Sequence, residues 1–106
     1  MESTLRDSFL TVEKYVMPLI SGNPSVLTKV ENKVLALQNV NRLNQRIGYL
    51  ARQGPKDPRA LRLLQTYVNN LTISLKTDNV QLMKNAIASV RSLVSTIEKL
   101  NPSKNG

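Results

Sequence analysis

Six basic side chains fall between Arg42 and Arg62, namely Arg42, Arg46, Arg52, Lys56, Arg59 and Arg62, against one acid, Asp57. The chemistry such a run can do is to hold a polyanion, because a guanidinium fork matches two phosphate oxygens at once. At about 100° per helical residue, Arg42, Gln45, Arg46, Tyr49 and Gln53 share a helix face, with Arg52 beside them. Glutamine and tyrosine can bond sugar hydroxyls, phosphates or base edges. No acid stands at a helical neighbour of Arg42 or Arg46, and like charges at that spacing are mildly destabilising. Arg59 and Arg62 fall in the first turn of their helix, where positive charge opposes the macrodipole. Two unfavourable placements in one cluster point to a use. The candidate contacts are therefore Arg42, Gln45, Arg46, Tyr49, Arg52, Lys56, Arg59 and Arg62.

Catalytic sets are missing from the sequence. There is no cysteine and no histidine, so the thiol nucleophile, the usual general base and the commonest metal ligands are gone. The carboxylates Glu2, Asp7, Glu13, Glu31, Asp57, Asp78 and Glu98 form no acid–base pair, and the glycines stand alone rather than in a phosphate-binding loop. The sequence predicts no enzyme, no cofactor and no metal. Zinc fingers and a zipper basic region are also missing, and the helix before Gly54 is too long for an ordinary helix-turn-helix. Backbone and shape readout is the economical mode.

The elements that must carry these residues are helical. Leu5, Phe9, Val12, Val16 and Leu19 recur at gaps of four and three, so helix 1 is predicted over about Thr4 to Met17, ending or kinking at Pro18. Helix 2 is predicted from the cap Asn23-Pro24 to about Gln53, roughly 45 Å long. Its expected inner stripe is Leu27, Val30, Val34, Leu37, Val40, Leu43 or Asn44, Ile47, and Leu50 or Ala51, with Asn41 and Asn44 at the seam. Gly48 suggests a close crossing or a bend. Gly54-Pro55 stops the helix. Helix 3 starts at Asp57-Pro58 with the stripe Leu61, Leu64, Val68, Leu71 and Leu75. Helix 4 is predicted from a cap at Asp78 with Gln81 behind it, carrying Val80, Met83, Ile87, Val90, Val94 and Ile97, broadened by Ala86, Leu93 and Leu100. Short links favour antiparallel neighbours. The expectation is an all-α antiparallel four-helix bundle with a long second helix, one domain over residues 1–101 and a flexible tail over 102–106. The far end of helix 2 can pair with a second copy, so a homodimer is open.

With 106 residues, 41% of them hydrophobic, a packed core is within reach; the net charge of +8 attracts nucleic acid, an anionic membrane or an acidic protein. No signal peptide and no apolar run of transmembrane length is read, so an intracellular, cytoplasmic location is expected. The plan, a short basic helical chain with one long Arg/Gln face, is similar to two classes. One is the nodaviral double-stranded-RNA-binding suppressors of silencing, dimeric helical bundles. The other is the small helical subunits of type III CRISPR effector complexes, which line a guide RNA. The resemblance is of architecture and no diagnostic motif carries it. Few aromatics make poor stacking platforms for single strands. The first expectation is a sequence-independent binder of nucleic acid, duplex RNA favoured over DNA. The alternative is a helical adapter or assembly subunit docking an acidic protein partner.

Overall fold

The computed structural model describes residues 5–21, 30–55 and 57–100. Four helices account for nearly all of them: α1, Leu5–Ile20; α2, Val30–Arg52; α3, Pro58–Thr77; and α4, Val80–Leu100. Each packs against its neighbour in sequence, and α1 closes against α4. Two ion pairs mark the directions. Lys33, near the start of α2, lies 3.0 Å from Asp78, just past the end of α3. Arg91, midway along α4, donates to Glu13, midway along α1, through Nε at 2.7 Å and through a terminal nitrogen. The result is the antiparallel bundle that the spacing predicts. Lys56, the helix 2 cap at Asn23-Pro24, Leu27 and the tail 102–106 lie outside the described residues, as does the Leu100 side chain.

The core follows the predicted stripes in three helices. Leu5, Phe9, Val12, Val16 and Leu19 of α1 are buried, as are Leu61, Leu64, Val68, Leu71 and Leu75 of α3. In α4 Met83, Ala86, Ile87, Val90, Val94 and Ile97 are buried, while Val80 and Leu93 are partly covered.

Helix α2 departs from its predicted stripe. The buried positions are Ala36, Asn39, Val40, Leu43 and Ile47, whereas Val30 is 69% and Val34 43% exposed. The gaps 30–34–37–40 total ten residues, about 1000° of rotation, which falls about 80° short of three turns. An apolar series with those gaps walks around the helix, and the true inner line runs back from Leu43 through Val40 and Asn39 to Ala36. The polar residue in the seam is thus Asn39, whose Nδ2 donates to the Leu35 carbonyl at 2.8 Å. Asn41 is exposed and Asn44 half-buried.

Three local features also correct the sequence reading. Helix α1 continues past Pro18 to Ile20. The fully buried Leu19 holds the extra turn, closed by Ser21 N–H to the Met17 carbonyl at 3.1 Å and Ser21 Oγ to the Pro18 carbonyl at 2.6 Å. Asp78 does not cap α4; it ends α3 in the left-handed region, φ 56°, with its N–H bonded to the Ser74 carbonyl. Aspartate tolerates that conformation better than most residues. The cap of α4 is Asn79, whose Oδ1 accepts from Leu82 N–H at 3.0 Å. Gly48 makes no close crossing: the nearest side-chain atom to a Cβ placed there would be a terminal nitrogen of Arg52, at 3.7 Å. The corner before α3 is as predicted, with Gly54 at φ +72° and Asp57 Oδ1 accepting from Ala60 N–H at 3.2 Å.

Candidate nucleic-acid interface

The antiparallel order brings the end of α2 and the start of α3 to one end of the bundle, joined by residues 53–57. Arg42, Gln45, Tyr49 and Arg52 are exposed on α2, and Arg59 and Arg62 on α3. None of Arg42, Arg46, Arg52, Arg59 and Arg62 is ion-paired among the described residues, whereas Arg91 and Lys33 are. These unpaired guanidinium groups are available to an outside anion.

The predicted single stripe on α2 spreads over two sides of the helix. Arg42 borders a shallow groove of about 170 Å³ between α1 and α2, together with Asp7, Ser8, Thr11 and Asn39. Arg46, one turn further on, is half-buried, with its Nε–H enclosed and without a hydrogen-bond partner among the described residues. Its guanidinium carbon lies 5.4 Å from the centroid of the Tyr49 ring, a cation–π distance that orients the head group. Arg52 lies about 80° around the helix from Arg42 and folds back along its own helix towards Gly48. So Arg42, Arg46 and Tyr49 form one cluster on the α1 side. Arg52 belongs with Gln45 on the outer side of α2, and Arg59 and Arg62 follow on α3. Asp7 brings a carboxylate to the rim beside Arg42 and tempers that corner.

Two further cations reach the same end: Arg6 in the first turn of α1 and Lys99 in the last turn of α4. They line a groove of about 410 Å³ between α1 and α4, which also holds Glu98 and the Glu13–Arg91 pair. Linear spacing cannot reveal this neighbourhood. Topology can, because four antiparallel helices return the chain to the end where it started.

Among the described residues no group of three or more acids stands together as a metal site, and no helix is long and apolar enough to cross a membrane. Comparison with protein-family models, with curated proteins and with solved structures finds no match.

Proposed function

We propose that this chain is a non-enzymatic, sequence-independent nucleic-acid-binding protein that grips the backbone of a duplex, double-stranded RNA in preference to DNA. The observation that carries this reading is a set of five arginines unpaired among the described residues: Arg46, Arg52, Arg59 and Arg62 towards the joined ends of α2 and α3, and Arg42 midway along α2. Unpaired arginines at one end of a +8 chain create the local field that phosphates seek. Duplex is favoured over single strand by the aromatics: Phe9 is buried, and Tyr15 and Tyr67 pack at the core edge. Tyr49 alone among the described rings is left open, too little for a stacking platform. Gln45 and Tyr49 beside the arginines are suited to the 2′-hydroxyls of an A-form minor groove. In this reading the protein works in the cytoplasm by shielding duplex RNA, as a suppressor of RNA silencing would.

The test is fluorescence anisotropy with scrambled 20-mers of duplex RNA, duplex DNA and single-stranded RNA, at low and near-physiological salt. Tight binding to duplex RNA independent of sequence is expected. An Arg42→Ala, Arg52→Ala double variant should weaken all duplexes alike and flatten the log–log salt slope by about 0.9 for each phosphate no longer neutralised. Weak binding to every polyanion that vanishes with salt would sink the proposal. It would turn the search to an acidic protein docked on the same arginines.

A further inference from the structure

The arginines of this surface are not alike. Arg42, Arg52, Arg59 and Arg62 are exposed, whereas Arg46 is half-buried. Among the described residues Arg46 is also the only arginine seated over a ring, with its guanidinium carbon 5.4 Å from the Tyr49 centroid. Tyr49 stands three positions on, a spacing at which helix side chains meet. The Arg46 Nε–H is enclosed and bonds none of the described residues. Its two terminal nitrogens form no ion pair among the described residues and, unlike Nε, are not enclosed.

We infer that Tyr49 is a positioning residue: its ring holds the Arg46 guanidinium so that only the terminal fork is offered outward, set for one phosphate group. The choice of phosphate rests on the nucleic-acid reading; the hold of the ring on Arg46 does not. Order is the physical reason. A free arginine samples many rotamers and gives up that freedom on binding, which weakens affinity by a few-fold for each side chain immobilised. A guanidinium seated on a ring and enclosed at Nε has given it up on folding. With Nε turned inward, a phosphate is met end-on, two terminal N–H groups to two oxygens, as the planar fork allows. Shape therefore matters at this position as well as charge. An ammonium here would keep the charge but lose the fork and the ring contact. At Arg62, exposed and over no ring among the described residues, either cation supplies the charge.

Two measurements test the proposal. The first is NMR on the free protein, following exchange of the arginine Nε–H groups with water. Arg46 should exchange more slowly than Arg42, Arg52, Arg59 and Arg62, by about tenfold or more, because water does not reach it. Tyr49→Phe should keep it slow, and Tyr49→Leu should bring it close to the others. An Arg46 as fast as the rest, or one still slow in Tyr49→Leu, overturns the proposal.

The second is fluorescence anisotropy with duplex DNA at low salt. This probe has no 2′-hydroxyl, so the Tyr49 hydroxyl has no such group to read. Tyr49→Phe should bind within about twofold of the parent, while Tyr49→Leu should lose about fivefold. Arg46→Lys should also lose about fivefold, against less than about twofold for Arg62→Lys. Adding Tyr49→Leu to Arg46→Lys should cost nothing further, because the two side chains act as one unit. Equal losses in Tyr49→Phe and Tyr49→Leu overturn the proposal, and so does full additivity in the double variant. Circular dichroism checks that each variant folds. A parent protein that binds no duplex while Arg46 stays slow sinks the nucleic-acid reading and leaves the hold of the ring standing. Duplex binding with a fast Arg46 does the reverse.

Discussion

The two ends of the bundle use different cations. Arg6, Arg46, Arg52, Arg59 and Arg62 lie in the half where α1 and α3 begin and α2 and α4 finish, while Arg42 and Arg91 stand at mid-helix. Of the described lysines, Lys33, Lys76 and Lys84 lie in the other half, Lys14 stands near mid-helix, and Lys99 shares the arginine end. Solubility alone would not sort them, since either cation serves it equally. The two differ in what they grip: guanidinium is a planar fork matched to phosphate and stacks on rings, while ammonium is a hydrated point charge. The ends differ in their buried polar groups as well. The lysine end has the Lys33–Asp78 pair and the Asn79 cap of α4 in place, and its buried Ser74 hydroxyl donates to the Leu71 carbonyl. The arginine end holds a buried Nε–H on Arg46 without a partner among the described residues, a placement that costs about 1–3 kcal/mol. In the nucleic-acid reading, such a cost at this end is what selection for binding rather than for stability would leave.

Charge reversal separates the ends most strongly. Arg59→Glu with Arg62→Glu should weaken duplex RNA binding by about a hundredfold, at roughly tenfold for each phosphate released. Lys76→Glu with Lys84→Glu changes the net charge by the same amount and should cost less than about fivefold, through the long-range field alone. Anisotropy titrations of the two variants decide it; equal losses would mean that total charge, not the arginine end, does the binding.

A smaller effect should appear at Arg46, with opposite signs in two measurements. Arg46→Met keeps the half-buried stem but removes the enclosed Nε–H. Denaturant unfolding should show a gain of about 1 kcal/mol, while duplex affinity drops by about tenfold. A loss of stability would instead mean that the guanidinium contributes to the fold, and the enclosed Nε–H would then mark no cost at this end.

The same asymmetry shows how far the sequence could be read. The stripes of α1, α3 and α4 were legible because their gaps of three and four alternate and hold one direction. The stripe of α2 was not, because Val34, Leu35, Ala36 and Leu37 are apolar in succession and offer two inner lines. Only packing chooses the line through the small Ala36 and leaves Val30 and Val34 outside. That choice also leaves Arg46 half-buried and sets Asn41 and Asn44 along a groove towards α3. The clustering of basic residues at the α2–α3 corner needed only chain proximity and was visible in the sequence. Arg6 and Lys99 needed the closed topology.

The smallest effect probes the lysine end itself. The Lys33–Asp78 pair is solvent-exposed on the aspartate side, at 51% against 25% for the lysine, and such pairs contribute about 0–1 kcal/mol. Asp78→Asn removes the pair but keeps a residue that tolerates the left-handed backbone at the end of α3. It also raises the charge of the lysine end by one. Thermal melts should move by only a few degrees, in line with a loss under about 1 kcal/mol, and duplex affinity should rise by less than about twofold. If affinity instead climbed by about tenfold, freeing Lys33 would have created a new grip on phosphate. The lysine end would then belong to the interface, and the division of labour between the two ends would be wrong.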